Sequence, residues 1–272
     1  MISAEFLHEK GIRDLNEDAV LCDNERQVYG VFDGASSLVN YLSPDGKTGG
    51  YIASHIVRDV FSSADGALIE IARSANEAIN QRLVEGGIDL SSNLNRFGTT
   101  AAVVRIAGDT AELFQCGDSV IIARFKDGTV TTPLGYVDQD IDIMRLWRQY
   151  VDARKDNVKE LLRDEIHHGR EQANIGYGTM NGDPRSQNHF QSIKLQCTDL
   201  RDILIVTDGM FIPKSDPDAD EDWQEYFRVC DDNGLSELYD YVRHLELSDP
   251  DLTKYPRFKI HDDASAVLVS IG

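Results

Sequence analysis

Residues 28–34 read VYGVFDG and residues 203–209 read ILIVTDG. In each, a short apolar run with the composition of a strand stops at an Asp-Gly pair. Asp-Gly is ordinary turn punctuation, because aspartate bonds its own backbone and glycine tolerates positive φ. A carboxylate held at a strand tip for chemistry would read the same way, and one pair alone does not separate the two. The surrounding residues have to.

Outward from the first stretch, AVLC (19–22) and QVYGVF (27–32) are joined by the polar DNER, which predicts a β-hairpin. Antiparallel pairing then brings Glu17 and Asp18, before one strand, to the same end as Asp33, after the other. Residues 99–132 continue in this style, with TTAAVVRI, TAELFQ, VIIARF and TVTT separated by AGD, CGDS and KDG, and read as an antiparallel meander. Outward from the second stretch, pairing ILIVT with the final ASAVLVSI (264–271) would set Asp208 beside Asp262 and Asp263.

Helical spacing appears between the strand groups. Ile52, Ile56 and Val60 mark one helix over 49–61; Leu68, Ala72, Ala75, Ile79 and Leu83 mark another over 66–84. Residues 138–168 read as helix broken near DARKDN, with Ile143, Trp147, Val151, Val158, Leu162 and Ile166 on its apolar faces. Residues 169–191 read as an irregular loop, 215–223 as an acidic loop, and 235–246 as a helix. DGKTGG (45–50) lacks the first glycine of a phosphate-binding loop, since Tyr41 stands there, so it reads as a helix start. Strands in runs with helices between the runs predict an α+β layered fold.

Composition narrows the function. The 272 residues carry 47 acids against 27 bases, a formal charge of −20, which disfavours nucleic acid and anionic membranes and is expected to repel acidic phosphoproteins. No stretch reaches the roughly 20 apolar residues of a membrane span, and the N-terminus has no apolar leader region, so the expected location is cytoplasmic. Cys22, Cys116, Cys197 and Cys230 form no CxxC pair and read as free thiols. Two acid-bearing strand ends, if they meet, would crowd five or six carboxylates. Such a cluster is destabilising unless cations neutralise it, and two divalent metals would do so.

Six stretches in order, GIRDLNEDA (11–19), VFDG (31–34), FGTTAAVV (97–104), CGDSVII (116–122), VTDGMF (206–211) and DDASAVLV (262–269), resemble the motifs of the metal-dependent PP2C-type (PPM) serine/threonine protein phosphatases, in a bacterial-like form. The resemblance implies a four-layer α/β/β/α sandwich of two antiparallel sheets flanked by helices, as a single domain over 1–272 with a variable flap around 135–192. It implies two Mn²⁺ or Mg²⁺ ions bridged by Asp33, with Glu17 and the Gly34 carbonyl on one and Asp208 and Asp262 on the other. Asp118 with Asp208 corresponds to a weaker third site, Asp18 belongs to the same acidic group, and Arg13 matches the arginine that grips the substrate phosphate. Asp263 stands where the family usually has Asn and is the alternative ligand to Asp262.

The chemistry matches those residue types, since hard divalent cations take oxygen ligands and a paired site activates water for in-line attack on phosphorus. One departure is Ala35, where many members carry a histidine that helps protonate the leaving group. This leaves the general acid open between a metal-bound water, Asp18 and another group, with His261 more in keeping with a structural role. The expected activity is hydrolysis of phosphoserine or phosphothreonine in proteins. The expected partners are a phosphorylated protein substrate and a cognate Ser/Thr kinase, with the chain itself a monomer. A non-catalytic phosphoprotein-binding regulatory module and a phosphatase of a small phosphorylated metabolite are the alternatives.

Overall fold

The computed structural model describes residues 2–39 and 41–272. The chain runs through β1 (Ile2–Glu9), β2 (Ala19–Asp23), β3 (Val28–Phe32) and β4 (Gly34–Ala35), then α1 (Gly49–Ser63) and α2 (Leu68–Glu85). Five strands follow: β5 (Gly98–Thr99), β6 (Ala101–Ala107), β7 (Thr110–Cys116), β8 (Val120–Phe125) and β9 (Val130–Thr131). Next come α3 (Ile141–Asp152), α4 (Val158–Leu161), α5 (Arg163–Glu171), β10 (Gln191–Gln196), β11 (Leu200–Val206), α6 (Trp223–Asn233), α7 (Leu235–Leu247) and β12 (Ala264–Ile271).

Two five-stranded sheets result, ordered β1-β12-β11-β8-β9 and β10-β7-β6-β3-β2, and every pairing within them is antiparallel. The apolar runs are continuous because both faces of the central strands are covered. In β3, Tyr29 and Val31 point between the sheets, packing with Ile121, Ile205 and Val267, whereas Val28 and Phe32 point outward against Val57, Phe61 and Ile79 of α1 and α2. In β11, Ile203 and Ile205 face the other sheet while Leu204 and Val206 meet Tyr226, Phe227, Leu238 and Val242 of α6 and α7. Period-two alternation thus divides each run between two cores, and the layers are helix, sheet, sheet, helix, as expected.

The 99–132 meander is corrected. β6 and β7 form the expected hairpin, Ala101 opposite Cys116, but β8 pairs with β11 in the other sheet. Gly117–Ser119 is a crossover between sheets. Three residues reach roughly 10 Å, the spacing of stacked sheets, so a stretch that looks like a hairpin turn can change layers. α1 is also re-aimed: Ala53, Val57 and Phe61 are buried with Ile52, while Ile56 and Val60 are only partly covered. β1 and α6 carry no helix or strand expectation from the sequence. α6 begins inside the acidic loop, where Asp222 caps the backbone N–H groups of Gln224 and Glu225, a role for which short acidic side chains are suited.

α3, α4 and α5 build a separate small core of Ile143, Trp147 and Leu162, with Phe258 and Leu252 of the segment before β12 packed against it. Trp147 Nε1 donates to the Leu252 carbonyl at 3.0 Å and Lys159 Nζ to the Phe258 carbonyl at 2.8 Å. This cap is thereby fastened to the approach to Asp262.

Candidate active site

The register of β2 on β3, Ala19 opposite Phe32, brings Glu17, Asp18 and Asp33 to one strand end. That of β11 on β12, Val206 opposite Ala266, does the same for Asp208, Asp262 and Asp263. The two ends belong to different sheets and meet: Thr207 Oγ1 donates to Asp18 Oδ2 at 2.9 Å, and Asp263 Oδ2 accepts the Glu17 N–H at 2.8 Å.

The glycines of both Asp-Gly pairs are explained by this approach. Neither Gly34 nor Gly209 has a positive φ. A Cβ on Gly34 would lie 2.2 Å from the Glu17 carbonyl oxygen, and one on Gly209 would lie 1.9 Å from that of Asp263. Each glycine is therefore required for backbone contact between an Asp-bearing loop and its acidic neighbour. Neither pair is a hairpin turn: Gly34 continues into β4, and Asp208-Gly209 opens a single 3-10 turn.

Glu17, Asp33, Gly34, Asp118, Asp208 and Asp262 line one cavity of about 230 Å³, with Arg13 at its mouth. Asp33 and Asp208 keep some surface open to it and are enclosed by protein on the other sides. Burial, then the charges of Asp18 and Asp118, hold the Asp33 carboxyl well above the usual range; burial, then Asp33 and Asp262, do so for Asp208. Asp18, fully buried behind the cavity, is raised by burial and by Asp208, against the bonds from Ser265 and Thr207. Asp118 is pushed up to about 7 by burial and by Asp140. Burial first and mutual repulsion second thus disfavour the ionised acids, a combination that positive charge in the cavity would relieve.

Basic side chains already touch some of these acids. Arg13 pairs with Glu17, which also accepts from Ser36 Oγ at 2.6 Å, and Lys259 Nζ lies 2.5 and 2.6 Å from the two oxygens of Asp262. Asp118 Oδ2 accepts from Gln139 Nε2 at 2.5 Å, while its buried Oδ1 has no partner. Among the described residues no three His, Cys, Asp or Glu side chains are set as a ready-made cation cage. The donor set nevertheless fits hard divalent cations: it consists of oxygen alone, it is crowded with carboxylates, and it includes an orphaned buried acceptor at Asp118.

Asp263 differs from the rest. Its oxygens accept the backbone N–H groups of Gly11 and Glu17, both at 2.8 Å, so it fastens the loop that carries Arg13 and Glu17. Behind Asp262, the buried Arg243 of α7 donates to the Gly209 carbonyl at 2.8 Å and the Asp262 carbonyl at 3.3 Å, and shares Glu246 with His261.

The family described as Protein phosphatase 2C matches residues 12–243. The chain belongs to the protein phosphatase 2C family. Among solved structures, the Mycobacterium tuberculosis serine/threonine phosphatase PstP/Ppp is 18% identical with a TM-score of 0.62, covering 99% of this chain and 98% of that one. A structure of the PstP catalytic domain in complex with two manganese ions is 18% identical with a TM-score of 0.59, covering 99% of this chain and 97% of that one. Stp1 from Staphylococcus aureus is 17% identical with a TM-score of 0.59, covering 100% of this chain and 96% of that one. No curated protein matches the sequence.

Within this protein phosphatase 2C fold, Ala35 lines the cavity and offers no proton there. His261 is turned to Glu246, with 2.9 Å between Nδ1 and Oε2. The sequence reading missed Lys159, Lys259, Gln139 and Asp140. Lys259 is three residues before Asp262, and only the turn of the chain before β12 brings its ammonium back onto that carboxylate. No helix is long and apolar enough to cross a membrane among the described residues.

Proposed function

We propose that the protein is a Mn²⁺- or Mg²⁺-dependent phosphatase that hydrolyses phosphoserine and phosphothreonine in proteins. The observation that carries this reading is the meeting of two acid-bearing strand ends, one from each sheet, in a single cavity beneath Arg13. Asp33, Asp208, Asp262, Glu17 and the Gly34 carbonyl would hold two ions, and Asp118 with Asp208 a third. Such ions supply a water acidic enough to attack phosphorus at neutral pH and positive charge for the phosphoryl oxygens.

The chain's own groups do the rest. Arg13, half-exposed at the mouth, presents a planar fork that suits two phosphate oxygens, and must turn from Glu17 to do so. Ser36 holds Glu17 from the other side. Asp263 fixes the loop bearing both, so Arg13 and the acids keep a common frame. A phosphorylated protein substrate, an opposing Ser/Thr kinase, a monomeric state and action in the cytoplasm belong to the same proposal, as does a flap role for residues 135–192.

The test is hydrolysis of p-nitrophenyl phosphate and of a phosphothreonine peptide with Mn²⁺. Activity is expected with the ion, is lost in chelator, and falls by at least about 10²-fold in Asp33→Asn, as when one major electrostatic contributor is removed. Full activity in excess chelator would overturn the reading.

A further inference from the structure

Five basic side chains line the cavity, Arg13, Arg96, Lys159, Arg170 and Lys259, and three of them, from distant parts of the chain, crowd one another beside Asp262: Arg13 from the loop after β1, Lys159 from α4 and Lys259 from the segment before β12. Arg13 is paired with Glu17 and the mostly buried Lys259 with Asp262. Lys159 has no ion-pair partner among the described residues. Its ammonium bonds only the Phe258 carbonyl, one residue before Lys259. The cap core that includes Trp147 and Phe258 seats α4 there. Burial, and then the charges of Lys259 and Arg13, hold the Lys159 ammonium below its usual range, with Asp262 pulling the other way. Gathering like charges raises the free energy of the fold, and in a chain with 27 bases against 47 acids it is not the outcome of composition.

We propose that Lys159 and Lys259 form a second anion subsite beside Arg13, so that preferred substrates carry another negative group, a carboxylate or a second phosphate, next to the phosphorylated residue. This rests on the phosphatase reading and narrows it. Arg13 takes the phosphoryl group to be removed, while the lysines take the neighbouring anion through charge-assisted hydrogen bonds. The cations also offset, at the cavity, the repulsion that a −20 chain exerts on acidic peptides.

The test uses the Mn²⁺-loaded protein and four phosphothreonine peptides differing only in the next residue: Glu, phosphoserine, Gln or Lys. Wild type is expected to show kcat/KM roughly tenfold higher for the Glu peptide than for the Gln peptide, the worth of one hydrogen bond to a charged group, and lower still for the Lys peptide. The phosphoserine arm tells a second phosphate from a carboxylate. Lys159→Gln should bring the Glu-to-Gln ratio to about one by removing that bond, and Lys159→Glu should invert the order. Lys159 is the decisive position because Lys259 also touches Asp262. Equal wild-type rates on the Glu, phosphoserine and Gln peptides, or an order unchanged by Lys159→Glu, would overturn the proposal. If no peptide is hydrolysed, the phosphatase reading fails. Fluorescence anisotropy of the same labelled peptides then decides the subsite alone: tighter binding of the Glu peptide in wild type but not in Lys159→Glu supports it, and equal binding sinks it.

Discussion

The hydroxyl of Thr207 donates to Asp18 Oδ2 across 2.9 Å and joins the two sheets at the ends where their acids gather. The same oxygen accepts the Ser265 N–H at 3.0 Å, so Thr207 ties β12 to β2 as well. Thr207→Val would take one of two hydroxyl donors from the buried Asp18 carboxyl, leaving Ser265, and would strip the buried Ser265 N–H of this partner, at a cost of about 1–3 kcal/mol. Thr207→Ser should recover most of it. Chemical denaturation reads both variants, and a Thr207→Val protein as stable as wild type would show that the bond does not join the sheets.

Gly34→Ala and Gly209→Ala place a methyl group against backbone that has nowhere to retreat. Each is expected to cost about 3 kcal/mol or more, at or beyond the upper end of ordinary overpacking, a drop in Tm of roughly 6 °C or more at this chain length. Thermal melts in chelator measure the fold without help from cations. Alanine variants melting within a degree of wild type would contradict the close approach.

Asp262 and Asp263 should separate cleanly by what they lose. Asp262→Asn is expected to weaken Mn²⁺ binding in calorimetric titration. Asp263→Asn keeps the cavity acids but leaves either the Gly11 or the Glu17 N–H facing an amide N–H₂, for about 1–3 kcal/mol of stability. The reverse pattern would make Asp263 the ligand.

Stability without cations should fall as pH rises. In the unfolded chain the Asp118 and Asp140 carboxyls release their protons near 3.8; folded, burial and neighbouring acids carry Asp140 to about 6 and Asp118 to about 7. Between pH 4 and 7 the folded state therefore holds more protons than the unfolded one, and unfolding free energy drops with rising pH. Asp18, Asp33 and Asp208 act in the same direction. In chelator, Tm at pH 5 should exceed Tm at pH 7.5, with a smaller difference in Asp118→Asn, and Mn²⁺ should restore much of the loss. A Tm that climbs over this range in chelator would show that the acids do not repel as described.

The acids were legible because hairpin geometry fixes which strand ends coincide, and two runs of alternating two-sided burial leave little freedom over where Asp33 and Asp208 emerge. The family motifs added Arg13 and the order of the candidate ligands. Three things lay outside that logic. The sheet change at Gly117 has the composition of a turn, so nothing local distinguishes it. Ile2–Glu9 is an edge strand with an irregular exposure pattern, and its identity comes from pairing with β12. Lys159 and Lys259 reach the cavity only through the packing of the cap on Phe258, a contact between residues about a hundred positions apart.

Arg243 gives α7 a reach that its place in the outermost layer conceals. One guanidinium spans the peptide units next to Asp208 and at Asp262, so the helix holds the floor of the cavity through a single rigid plane. The outermost layer is thus in direct hydrogen-bonded contact with the backbone that carries both aspartates, with one side chain as the whole of the link.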